Sequence, residues 1–128
     1  MKSLLDDVGA FHKACGVPAY YGTPWSPTAD RVMLRISLID EEVNRELFPA
    51  MKRGDIVGVA DALADAIYVI VGTALEYGIP LDRVWDAVQR SNMAKVDPDT
   101  GKVRKREDGK ILKPEGWVGP DIAAVISE

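Results

Sequence analysis

From Ile56 to Tyr77 the chain is apolar on almost every side of a helix, through Val57, Val59, Leu63, Ile67, Ile70, Val71 and Leu75, yet Asp61 and Asp65 stand inside the run. A proline-free stretch of this length reads as a helix, and one without a polar face belongs in the middle of a bundle. The two aspartates are four residues apart, so they project from one side of the helix about a turn from each other. A buried carboxylate without a partner must be compensated or take up a proton. A divalent cation is the compensation such oxygens favour.

The preceding segment carries a second acidic pair. Glu42 and Glu46 repeat the four-residue spacing, and Glu41 lies beside them. A short connection makes the two helices antiparallel neighbours, so four or five carboxylates converge on a site suited to Mg²⁺ or Mn²⁺ with positions left for water and phosphate oxygens. The alternative for the glutamates is a solvated face paired to Arg45 or Lys52, the usual fate of helix-surface charge.

Around this pair of segments the punctuation is helical. Leu4, Leu5, Val8, Phe11 and His12 fall at helical spacing and stop at Gly16-Val17-Pro18. Residues 16–27 form a loop in which Pro18, Gly22, Pro24 and Pro27 alternate with Tyr20, Tyr21 and Trp25. Ser26-Pro27 then reads as an N-cap followed by the first helical position, opening a second helix that runs to Arg53-Gly54 with Pro49 as a kink. Asp55 caps the apolar third helix, and Gly78-Ile79-Pro80 ends it. A fourth helix runs from Leu81 through Val84, Trp85 and Val88 to about Met93. Val103–Glu107 and Lys110–Lys113 flank Asp108-Gly109, which predicts a hairpin with a two-residue turn. The expected fold is all-α, a four-helix core bundle with a short C-terminal β-hairpin extension. It forms a single domain over 1–128, with the helical core at about 1–95 and a basic hairpin and tail at about 96–128.

Composition narrows the functional classes. A chain of 128 residues that is 47% hydrophobic supplies one core. Its net charge of −4 argues against binding a nucleic acid polymer. The single cysteine, Cys15, builds neither an intrachain disulfide nor a thiolate metal site, which suits a reducing compartment. Lys2, Asp6 and Asp7 interrupt Met1–Phe11, so no secretory signal is legible there, and no apolar run is expected to approach bilayer length. A cytoplasmic protein with no membrane partner is the expectation.

Four segments together resemble the all-α nucleoside triphosphate pyrophosphohydrolases, in particular the MazG-like and phosphoribosyl-ATP pyrophosphohydrolase-like branch. They are Leu38-Ile39-Asp40-Glu41-Glu42-Val43-Asn44, Asp61-Ala62-Leu63-Ala64-Asp65-Ala66-Ile67-Tyr68-Val69, Ser91-Asn92-Met93-Ala94-Lys95 and Gly109-Lys110-Ile111-Leu112-Lys113-Pro114. The resemblance implies a homodimer or homotetramer using Mg²⁺ or Mn²⁺ to release pyrophosphate from a nucleotide substrate. Glu42, Glu46, Asp61 and Asp65 are then the metal ligands, and Glu41 or Glu42 orients a water or takes its proton. Two departures stand out. The family commonly places its glutamates at i, i+1 and i+4, which puts the third at position 45, where this chain has Arg45 followed by Glu46. Its second motif is often Glu-x-x-Asp, which would put a glutamate at 62, where Ala62 stands after Asp61.

Asn92 and Lys95 resemble substrate-contacting residues, though both also suit a helix C-terminus. Lys110 and Lys113 belong to a basic hairpin that either closes over triphosphate or guards a strand edge. His12 is the only histidine and is either a substrate contact or a satisfied structural residue. Trp25, with Tyr20 and Tyr21, either stacks on a nucleobase or packs; Trp85 and Trp117 are read as packing residues. The implied reaction is hydrolysis of a (deoxy)nucleoside triphosphate, with dGTP as the substrate suggested by similarity to phage members. The alternatives are phosphoribosyl-ATP hydrolysis and a helical dimerisation or interaction module without chemistry.

Overall fold

The computed structural model describes residues 1–128 and is predominantly helical. Its elements are α1 (Lys2–Cys15), α2 (Ala29–Asp40), a π-helical turn (Glu41–Leu47), α3 (Phe48–Arg53), α4 (Ile56–Glu76), α5 (Leu81–Met93), β1 (Arg104–Lys105), β2 (Ile111–Leu112) and α6 (Ile122–Ile126). They group into two compact units, Met1–Leu81 and Asp82–Glu128, so nearly all of α5 groups with the hairpin rather than with the helices before it.

In the first unit, glycines end helices where the sequence places them. Gly16 and Gly54 take left-handed conformations at φ 71° and 69° after α1 and α3, which costs a residue without a Cβ little. Asp55 caps α4 by accepting the Gly58 N–H at 2.9 Å. The start of α2 differs from expectation: Thr28, not Ser26, is the cap and accepts the Arg31 N–H, while Pro27 is buried ahead of it. The core joins Leu5 and Val8 of α1 to Val71 and Leu75 of α4.

Two expectations about α4 are corrected. Helix α4 does not lie in the middle of a bundle formed by this chain alone. Ala62, Ala66 and Gly72 are buried, but Leu63, Ile67 and Ile70 are 46%, 46% and 45% exposed. All-round hydrophobicity says that a surface needs covering; it does not say that the same chain covers it. Helix α4 is also 21 residues long and apolar enough to cross a membrane by length and composition, contrary to the expectation that no run approaches that length. Asp61 and Asp65 sit within it, an expensive feature for a lipid-embedded helix.

The second helix neither stops nor kinks at Pro49. It widens first: the Phe48 N–H bonds back five residues to the Val43 carbonyl, and Pro49 then sits near the start of α3, where its missing N–H removes no intrahelical bond. In a regular helix one extra residue rotates everything downstream by about 100°. The wide turn absorbs that rotation, keeping Leu47 and Ala50 buried.

In the second unit the hairpin forms, with Arg104 opposite Leu112 and Lys105 opposite Ile111. Its turn is longer than Asp108-Gly109. Arg106 and Lys110 close a three-residue loop through the Arg106 N–H to Lys110 O bond at 2.7 Å, with Gly109 at φ 90°. This is a turn followed by a left-handed glycine bulge. Helix α6, absent from the sequence reading, is capped by Asp121, which accepts the Ala124 N–H at 3.0 Å.

Candidate functional site

The π turn and α4 pack together and bring the acidic pairs within electrostatic reach. Glu42 is partly buried. Burial pushes its carboxyl above the usual range, and the charges of Asp65, Glu46, Glu41 and Asp61 push it the same way. The five acids nominated from sequence therefore share one electrostatic neighbourhood. The wide turn spans Arg45 and Glu46, the positions at which the chain departs from the family pattern. Arg45 itself turns to Asp40 at 3.3 Å with a 76% exposed side chain. Neither Arg45 nor Lys52 pairs with Glu41, Glu42 or Glu46.

The premise of deep burial is overturned. Asp61 and Asp65 are exposed, as are Glu41 and Glu46, because these aspartates lie on the shoulder of α4 beside the Ala62 and Ala66 face that packs inward. As placed, no three acids are close enough to grip one ion. The donor set, entirely hard carboxylate oxygen with no cation paired to it, nonetheless has the chemistry for Mg²⁺ or Mn²⁺. Four of the five side chains have solvent space in which to change rotamer.

The remaining nominated residues lie elsewhere. His12 is 5% exposed, and its Nδ1 lies 2.8 Å from the Pro18 carbonyl. Its ring lies against Gly72, roughly 10 Å along α4 from Asp65 at 1.5 Å per residue. Trp25 belongs to a loop tied to the far end of α4 by three main-chain bonds: Tyr20 N–H to Leu75 O, Thr23 N–H to Gly78 O and Trp25 N–H to Tyr77 O, at 2.8, 3.1 and 3.1 Å. Tyr20 and Trp25 meet edge to face at 5.6 Å and, with Ala19, Tyr21 and Thr23, line an open hollow of about 510 Å³. That end lies roughly 15 Å along the helix from Asp65, so neither Trp25 nor His12 joins the acids within one chain. Asn92, Lys95, Lys110 and Lys113 all belong to the second unit, where Lys95 Nζ donates to Asn92 Oδ1 at 3.1 Å.

Sequence reasoning missed the one deeply buried carboxylate. Glu76 is fully buried; its Oε1 accepts the Arg31 Nε–H at 2.7 Å, and its Oε2 lies 2.9 Å from Arg35 Nη1. Arg35 also donates to Thr73 Oγ1 and the Val69 carbonyl, and burial lowers its guanidinium from the ordinary value. The signal was available as Arg31 and Arg35, four residues apart and so on one helix face opposite a lone acid. The packing is tight: a Cβ at Gly72 would come within 2.6 Å of His12 Nε2 and 2.8 Å of Arg35 Nη2.

An internal ion-pair network that joins α2 to α4, together with acids presented from two packed helical segments, defines an all-α scaffold with a carboxylate-rich face. The family model Phosphoribosyl-ATP pyrophosphohydrolase matches residues 9–92, and the chain belongs to that family, within the MazG-like all-α pyrophosphohydrolase superfamily. The chain is also 35% identical over 78 residues to an uncharacterized protein of Acanthamoeba polyphaga mimivirus. That match covers 59% of this chain and 31% of the relative, so the chain spans about a third of the length of the curated relative it matches.

Proposed function

We propose that the protein hydrolyses a (deoxy)nucleoside triphosphate to the monophosphate and pyrophosphate, with dGTP as the first substrate to test. The observation that carries this reading is the raised Glu42 carboxyl amid Asp65, Glu46, Glu41 and Asp61, set in a chain of the pyrophosphohydrolase family. Glu42, Glu46, Asp61 and Asp65 would hold Mg²⁺ or Mn²⁺, which supplies charge neutralisation for the phosphate chain and polarises its oxygens. Glu41, exposed beside this set, orients the attacking water or accepts its proton, with Glu42 as its alternate. Arg45, whose ion pair is with Asp40, is left out of this set.

The exposed Leu63, Ile67 and Ile70 stripe supports a homodimer or homotetramer in which a second copy covers α4. Such covering also desolvates the neighbouring aspartates and strengthens their hold on a cation. It accounts for an apolar helix in a soluble, cytoplasmic protein without a membrane. Incubating the protein with Mg²⁺ or Mn²⁺ and each of dGTP, dUTP, dCTP, ATP and phosphoribosyl-ATP, then measuring pyrophosphate and monophosphate, tests the reading. Metal-dependent release of pyrophosphate is expected. No turnover on any nucleotide, together with no cation binding by calorimetry, would leave a helical interaction module instead.

A further inference from the structure

Trp117 organises the two lysines nominated as substrate contacts. The turn Pro114-Glu115-Gly116-Trp117 closes through the Trp117 N–H to Pro114 O bond at 3.1 Å, with Gly116 at φ 77°, a position only glycine occupies without strain. This turn folds the indole back onto the end of α5, where Nε1–H donates to the Ser91 carbonyl at 2.8 Å. Two ammonium groups then settle on the ring. Lys95 Nζ lies 5.1 Å and Lys113 Nζ 4.8 Å from its centroid, within cation–π range. Neither forms an ion pair with a carboxylate, in a chain with four more acids than lysines and arginines. Two like charges gathered on one aromatic group without a counterion form an arrangement that an anion stabilises.

We propose that Trp117 is a positioning residue that holds Lys95 and Lys113 as a pair for the phosphate chain of a free nucleotide. Naming that substrate rests on the hydrolase reading above; the anion site itself does not. The indole fixes both ammoniums before a ligand arrives, so less side-chain freedom is lost on binding. Asn92 Oδ1 adds a second restraint on Lys95 Nζ.

Titration calorimetry of inorganic pyrophosphate into the full chain, in chelator so that no cation contributes, tests the site directly. Lys95→Gln, Lys113→Gln and Trp117→Leu are each expected to weaken binding about tenfold, while Trp117→Phe, which keeps a ring beneath the lysines, retains most of it. Should Trp117→Leu fail to fold by circular dichroism, the two lysine variants and Trp117→Phe decide. Where turnover is measurable, the same substitutions should raise KM and leave kcat within about twofold. Pyrophosphate binding indifferent to all four substitutions overturns the proposal even if the enzyme is active. A single-stranded oligonucleotide that binds more tightly and displaces pyrophosphate overturns it in favour of a nucleic acid surface. Pyrophosphate binding that follows the lysines in a protein that hydrolyses no nucleotide keeps the anion site and removes the hydrolase reading.

Discussion

Deleting Arg45 probes the feature on which the acidic site depends. Leu47 and Ala50 are 9% and 1% exposed. Burial of a leucine contributes about 1.5–3 kcal/mol and of a methyl group about 0.8 kcal/mol. A regular α-helix with the same residue count would turn both off the core, so the π turn preserves about 2–4 kcal/mol of burial against poorer local hydrogen bonding. Arg45 is the natural residue to remove, because its side chain is 76% exposed and its ion pair is with Asp40 alone. Without it, the helix should run regularly with Leu47 and Ala50 still inward and Glu46 four positions after Glu41. The variant is expected to keep its stability in urea melts within about 1 kcal/mol and its Mn²⁺ affinity by calorimetry within about threefold. Inserting an alanine after Arg45, which the π turn cannot also absorb, should cost about 2–4 kcal/mol. A deletion variant that loses more than about 2 kcal/mol, or that stays folded without binding cation, refutes the proposal that Glu46 takes the place of the third glutamate of the family pattern.

Four further outcomes are expected. Asp65→Asn should lower kcat by about a hundredfold or more with the circular dichroism spectrum retained, and an unchanged rate would remove Asp65 from the site. Glu76→Gln leaves Arg35 buried without its counter-charge and should cost about 3–5 kcal/mol in urea unfolding; a loss below about 1 kcal/mol would mean that the network does not support the fold. Ile67→Glu, on the exposed α4 stripe, should convert the oligomer to monomer in light scattering, and an unchanged mass would place the interface elsewhere. In chelator, Glu42 favours its protonated form in the folded state. Its contribution to stability is therefore full below the ordinary glutamate value of 4.5 and is lost as pH rises through the raised one. Melting temperature should fall across that interval and recover on adding Mn²⁺; a Glu42→Gln variant showing the same pH dependence would assign it to another group.

Much of the helical framework was legible, because its signals are local. Gly16, Gly54 and Gly78 mark helix ends by backbone conformation, and Asp55 marks a start by its side-chain cap. The acidic pairs were legible as spacing. The π turn was not, since periodicity read at 3.6 residues per turn assumes that the helix never widens, and the misfit of Arg45 with the family pattern was its only trace. The exposure of Leu63, Ile67 and Ile70 was also hidden, because hydrophobicity reports a need for cover without naming its source. Glu76 escaped notice as an ordinary acid near a helix end, and its arginines lie some forty positions earlier. Trp117 was read as packing because its meaning comes from Lys95 and Lys113 folding over it.

The loop from Tyr20 to Trp25 is tied to the end of α4 by three main-chain hydrogen bonds. Gly78 permits this seat, since any Cβ there would strike the Thr23 carbonyl at 2.3 Å. Those three bonds are indifferent to which side chains the loop displays. With a glycine kept at this point, Tyr20 and Trp25 can be exchanged, altering what the hollow admits while these main-chain bonds stay in place.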